Sequence, residues 1–213
     1  MNEPMDGTVR RGEVLTLQQR SVRRREYGLR RGDQDLGRLR FAPGRRSLAQ
    51  AETDQTGALV LTAARDRVEV RHRDGGTTVA TVEGGRRGAM AIRIPQGPAY
   101  GWRRSGRWQR WTIGVGQADL LGVTAAQGFL KSWIQITVQQ DLPEQTAVLL
   151  SVIGGFLALR ELQAEVDASA AVGGIVAAGA GERPGRNEPG GQEKLAMSGT
   201  TTWARRPSPP GGE

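Results

Sequence analysis

The chain has 213 residues, no cysteine and a formal net charge of +8, carried almost wholly by arginine because Lys131 and Lys194 are the only lysines. That length, with 37% hydrophobic residues, fits one domain with a sizeable core plus a tail. The missing cysteine excludes disulfides and thiolate metal sites and fits a reducing cytosol. Met1 to Arg11 carries acids and no apolar run, so no signal peptide is expected. The arginine bias reads in two ways: a solvated surface from a GC-rich genome, or attraction to phosphate on lipid or nucleic acid.

The lead at 1–12 shows no periodicity and is expected to be disordered. From Val14 the chain reads as short strands. The expected set is Val14–Gln19, Arg23–Arg31, Leu36–Phe41, Arg46–Glu52, Ala58–Ala63, Arg67–His72, Thr77–Glu83, Ala89–Ile94, Ala99–Arg104, Arg107–Gly114, Ala118–Thr124 and Lys131–Gln139. Alternation is cleanest at Val68 and Val70, at Met90, Ile92 and Ile94, and at Ser132, Ile134, Ile136 and Val138. Trp133, Gln135 and Thr137 fall on the opposite face of that last run. One buried and one wet face is the signature of an antiparallel sheet. Turn chemistry separates the runs at Gly32–Asp35, Asp54–Gly57, Arg73–Gly76 and Ser105–Gly106.

The pattern then changes. Asp141-Leu142-Pro143-Glu144 leads into an uncharged run from Gln145 to Leu159, closed by Arg160. Proline near the start, an acid in the first turn and a cation at the end suit a helix near 144–161. A helix apolar on every face is buried in a core or spans a membrane. Fifteen residues make a helix of about 23 Å, whereas a bilayer core is about 30 Å and needs about 20 apolar residues. Strands of about seven residues are also about 23 Å long. A barrel of about eight strands fills itself with side chains, and a wider one leaves a void. The expectation is therefore a mainly β protein: a closed antiparallel barrel of about twelve strands over 13–162 around one central hydrophobic C-terminal helix, with no transmembrane span. Residues 163–213, rich in Ala and Gly and then in Gly, Pro, Ser and Arg, read as a low-complexity disordered tail in which Ala164–Ala178 can hold a transient helix.

Twelve strands followed by Trp133-Ile134-Gln135-Ile136, then Leu142-Pro143-Glu144, then the apolar run from Val148 to Leu159 resembles the tubby C-terminal-like superfamily, which includes tubby proteins, phospholipid scramblases and LURP-one-related proteins. The likeness covers Val14 to Leu162 and is greatest to small bacterial members. It implies a barrel threaded by the terminal helix. It also implies a possible ligand class, because tubby proteins bind phosphoinositide through Lys- and Arg-rich positions. Those positions have no residue-by-residue match here, so none is carried over. Scramblase-type palmitoylation and calcium binding need cysteines and an acidic loop that the chain lacks.

No catalytic residue, metal site or cofactor is assigned. His72, the only histidine, sits in Arg71-His72-Arg73-Asp74, which resembles a kinase catalytic loop without its companion motifs and reads as a turn. Gly114-Val115-Gly116 lacks the third glycine and helix of a dinucleotide fingerprint. The most unusual segment is Tyr100 to Trp111, a hairpin holding three tryptophans and four arginines. Its rings either pack inside, with one under an arginine, or form a patch on lipid headgroups. A second cluster is Arg23-Arg24-Arg25, which must belong to a turn or an edge because three consecutive side chains point to both faces of a strand. The candidate site for an anionic ligand is thus Arg23, Arg24, Arg25, Trp102, Arg103, Arg104, Arg107, Trp108 and Arg110. The expected role is non-enzymatic binding of anionic membrane lipid, by a protein that is cytoplasmic and peripheral to the membrane. The alternatives are nucleic-acid binding through the same residues and an enzyme using barrel-rim carboxylates.

Overall fold

Short alternating segments bounded by glycine-containing turns pair here into strands. In the computed structural model, which describes residues 7–84, 89–95, 97–106, 109–127 and 132–179, these are β1 (Thr8–Val9), β2 (Val14–Ser21), β3 (Glu26–Arg31), β4 (Gln34–Phe41), β5 (Leu48–Thr53), β6 (Gly57–Ala63), β7 (Arg67–His72), β8 (Thr78–Gly84), β9 (Met90–Arg93), β10 (Ala99–Arg104), β11 (Arg110–Val115), β12 (Ala118–Gln127), β13 (Ser132–Val138) and β14 (Leu142–Pro143). A single helix follows, α1 (Glu144–Gly179). Met1–Val172 is one unit of the chain and Gly173–Glu213 a second, of which the described residues are the last turns of α1.

Strands β2 to β13 close into a twelve-stranded barrel, each antiparallel to both of its neighbours and laid down in chain order, with β13 joined to β2. Register follows the apolar alternation: Leu15 faces Ile136, Leu17 faces Ile134, Val68 faces Val82 and Val70 faces Ala80. All of these point inward and are buried. On β13 the opposite parity is outside, where Trp133 is 52% exposed.

The lumen holds the first part of α1. Every residue from Ala147 to Leu159 is buried. The 26-residue stretch Glu144–Ser169 has the length and composition of a membrane span, yet 78% of its most apolar window is buried inside the protein. Each fully buried Leu, Ile, Val or Phe on it contributes about 1.5–3 kcal/mol. Gly154 and Gly155 set the fit. A Cβ on Gly154 would lie 3.0 Å from Ile113 Cδ1, and one on Gly155 would overlap Leu17 Cδ1. The missing side chains therefore let the helix approach β2 and β11 closely.

Because neighbours alternate in direction, the connections after β2, β4, β6, β8, β10 and β12 share one end of the barrel, and the others share the opposite end. The helix enters at the second end, the base, where Glu144 N donates to Gly7 O at 2.7 Å. It leaves through the first, the mouth, where Arg25 Nη2 donates to Gln163 Oε1 at 2.8 Å.

Two expectations about the ends need correction. Residues 7–12 are not a disordered lead. Thr8 and Val9 pair with Pro143 and Leu142, Val9 is fully buried and Gly12 N donates to Val138 O at 2.7 Å. This ribbon covers the base, and two residues are too few to show alternation in the sequence. At the other end, 163–179 is regular helix continuing α1 rather than part of a disordered tail. Residues 1–6 and 180–213 of those expectations lie outside the described residues.

Candidate functional site

The mouth is built from turns that carry arginine. Between β2 and β3, Arg24 N donates to Ser21 Oγ at 3.2 Å and Arg25 N to Val22 O at 3.3 Å. Arg25 takes a left-handed φ of 48°. The triple arginine is thus a tight turn, and β3 starts at Glu26 instead of Arg23. Between β4 and β5, Arg45 N donates to Ala42 O at 3.1 Å across Gly44, presenting Arg45 and Arg46. Between β6 and β7, Ala64 N donates to Arg67 O at 2.7 Å, presenting Arg65 and Arg67. Between β10 and β11, Ser105 N donates to Arg110 O at 2.8 Å, with Arg104 and Arg110 at the strand ends.

The base is different. Its turns carry Asp33, Asp54, Asp74 and Asp141, with Glu13 and Glu144 beside them. Arg31 there is held by Glu13 at 2.6 Å and lies 3.8 Å from Glu144. Arg10, Arg11 and Arg73 also lie at the base, so its turns mix both signs, whereas arginine predominates in the described turns of the mouth.

The mouth also carries acids, Glu26, Asp66 and Glu83 at its turns and strand ends and three more on α1, and those of α1 are engaged. Glu161 accepts two indole N–H groups, from Trp102 Nε1 at 3.1 Å and from Trp111 Nε1 at 2.7 Å. The two indoles stack at 5.7 Å between centroids with 15° between planes. Glu165 pairs with Arg104 at 2.8 Å and Asp167 with Arg46. Arg23, Arg24, Arg45, Arg65 and Arg110 are exposed and have no carboxylate within 4 Å among the described residues. Beside them stand two large apolar side chains in water, Val22 at 65% exposure in the β2–β3 turn and Trp133 near the start of the neighbouring β13.

Of the residues expected to bind an anion, the structure brings Arg23, Arg24, Arg25, Arg104 and Arg110 to the mouth. Trp102 is a correction: it is fully buried on the lumen side and cannot touch a surface ligand. Its own alternation explains this, since Tyr100 and Trp102 share the inward face of β10 while Arg104 reaches the mouth only because the strand ends there. Arg103 lies on the outer wall, paired with Asp119 at 2.7 Å, away from the cluster. Arg107 and Trp108 lie outside the described residues. Sequence reasoning missed Arg45, Arg46, Arg65, Arg67, Val22 and Trp133. The available signal was the recurrence of arginine in alternate turns, at 23–25, 45–46 and 65.

No group of three or more His, Cys, Asp or Glu able to hold a metal ion occurs among the described residues. Against models of protein families, curated proteins and solved structures, the chain finds no match.

Proposed function

We propose that the protein is a non-enzymatic, tubby-like binding module that docks the mouth of its barrel on anionic phospholipid surfaces. The observation that carries this reading is the gathering at the mouth of five exposed arginines without an acid partner among the described residues, against Arg10 and Arg11 at the base, next to exposed Val22 and Trp133. Each Lys or Arg held near an anionic leaflet contributes about 1 kcal/mol. Tryptophan favours the headgroup zone. The order of elements, twelve strands and then a lumen helix, supports the tubby-like part.

The rival readings receive less support. Binding of single-stranded nucleic acid needs a row of aromatic platforms in reach of bases, and with Trp102 and Trp111 buried, Trp133 is the one exposed indole among the described residues. Acid–base chemistry at the rim would have to use Asp66 or another turn acid, because both oxygens of Glu161 are occupied by indoles.

The test is sedimentation of the full chain with phosphatidylcholine vesicles, with and without phosphatidylserine, using single-stranded DNA as competitor. Binding is expected only to the anionic vesicles, weakening as salt rises, and is expected to fall at least tenfold when Arg23 and Arg24 both become Glu. Absence of binding at low salt, or equal binding by that double variant, overturns the proposal. Full displacement by DNA transfers the site to nucleic acid.

A further inference from the structure

Two hollows adjoin where α1 leaves the barrel, and Arg160 borders both. In the first, of about 320 Å³, Arg65, Asp66 and Arg67 of the β6–β7 turn stand with Arg160 and Glu161, and Gly84, Ala89 and Ala164 complete its open wall. In the second, of about 30 Å³, Arg25 and Arg46 join Arg160. Val68, Val82 and Leu157 beneath are core residues closed to a ligand. What a ligand reaches is therefore mainly guanidinium, carboxylate and small side chains. The larger volume lies at the lower end of the range for small-molecule sites, about 300–1,000 Å³.

Three successive arginine-bearing turns of the mouth thus meet a fifth arginine on the helix, and their charges are matched unequally. Arg25 donates to the neutral Gln163, Arg46 pairs with Asp167, and Arg67 lies 4.0 Å from Glu69. Arg65 and Arg160 have no carboxylate within 4 Å among the described residues. Glu161 is held by the two indoles. Arg160 is half-buried and lies over the Phe156 ring at 5.8 Å. Burial lowers its pKa from the ordinary arginine value, with neighbouring Glu161 opposing. A partly desolvated guanidinium with free N–H groups is matched by an oxyanion that accepts two of them at once. Asp66 sets a second condition. It is exposed, has no cation within 4 Å among the described residues, and accepts only from hydroxyl or ammonium donors while repelling a bare anion.

We infer that this groove binds one phosphate ester of a small polyol, its phosphate held by Arg160 and Arg65 and a hydroxyl donating to Asp66. That chemistry is shared by free polyol phosphates and by the glycerol-phosphate part of a lipid headgroup. The inference stands on the groove and does not rest on vesicle docking.

The experiment is calorimetric titration of the full chain at low salt with glycerol 3-phosphate, methyl phosphate and glycerol, repeated on Arg160→Met, Arg65→Gln and Asp66→Ala after urea unfolding has shown which variants fold. One glycerol phosphate is expected per chain, bound more tightly than methyl phosphate, with no uptake of glycerol. Arg160→Met is expected to weaken it at least tenfold. Arg65→Gln, on an exposed turn, weakens it in the same direction and carries the test if Arg160→Met does not fold. Asp66→Ala is expected to bring glycerol phosphate down to the level of methyl phosphate. No binding, several equivalent sites, equal affinity for the two esters in the wild type, or unchanged affinity in the folded arginine variants overturns the inference. Vesicles of phosphatidylcholine with phosphatidylglycerol separate the sources. Vesicle binding that weakens with Arg160→Met and is displaced by glycerol phosphate assigns the groove to a lipid headgroup, and vesicle binding untouched by both assigns it to a free ester. If wild-type protein ignores anionic vesicles yet takes up one glycerol phosphate, the docking proposal fails and the groove assignment stands.

Discussion

Glu161 ties the helix to the barrel wall, and its removal has a calculable cost. Trp102 and Trp111 are essentially without solvent contact, so their indole N–H groups depend on the carboxylate that accepts both. A hydrogen bond to a charged acceptor contributes about 1.5–3 kcal/mol, and a stranded buried donor costs a similar amount. Glu161→Met keeps the length of the side chain and removes both acceptors. Two lost bonds set a range of about 3–6 kcal/mol, and the half-exposed position of Glu161 at the mouth favours the lower end. About 3 kcal/mol is a large share of the 5–15 kcal/mol that stabilises a typical domain. Glu161→Gln retains one acceptor and is expected to cost about half as much. Urea unfolding followed by tryptophan fluorescence reads both. At an m-value of about 2 kcal/mol/M the midpoint falls by about 1.5 M for Met and about 0.8 M for Gln. Variants within about 0.5 kcal/mol of wild type would refute the claim that the carboxylate is the sole partner of these two donors.

Three further outcomes follow from the lumen packing. Gly155→Ala is expected to cost about 1–3 kcal/mol in urea unfolding despite alanine's better helix propensity, because the added methyl meets Leu17 Cδ1 in a filled core. Ser151 is fully buried with a hydroxyl that has no partner among the described residues, so Ser151→Ala is expected to raise stability by about 1 kcal/mol, where a loss would show a hidden partner. Tyr27 and Tyr100 are the only tyrosines, and burial raises both phenols above the ordinary value of 10.0, with Arg25 opposing at Tyr27. A raised folded value means stability is intact below pH 10 and is lost as pH climbs through that value. Ultraviolet titration should therefore show tyrosinate forming later in native protein than in guanidinium, and coincident curves would contradict the burial.

Most of the architecture was legible because it rests on periods. Val68 and Val70, or Ile134, Ile136 and Val138, can satisfy alternation only with one face in a core. The helix was legible because its run is uncharged and matches a strand in length. What was lost lay in long-range contact. Trp102 and Glu161 are far apart in sequence, so nothing local marks the ring as a core residue anchored by an acid on the helix. The hairpin from Tyr100 to Trp111 mixes rings and arginines, and only the point where β10 ends decides which of them reach water. The mouth was half legible. Arg23 to Arg25 stood out as a run, whereas Arg45, Arg46, Arg65 and Arg67 needed the closed topology to bring their turns to the same end.

Orientation on a membrane is the central claim, and the absence of cysteine makes it directly measurable. A single cysteine introduced as Val22→Cys at the mouth or Gln117→Cys at the base carries a polarity-sensitive fluorophore at one known end of the barrel. On phosphatidylserine-containing vesicles the label at position 22 is expected to shift to the blue, and the label at position 117 to stay as it is in water. A shift at 117, or equal shifts at both ends, would contradict docking through the arginine-bearing mouth.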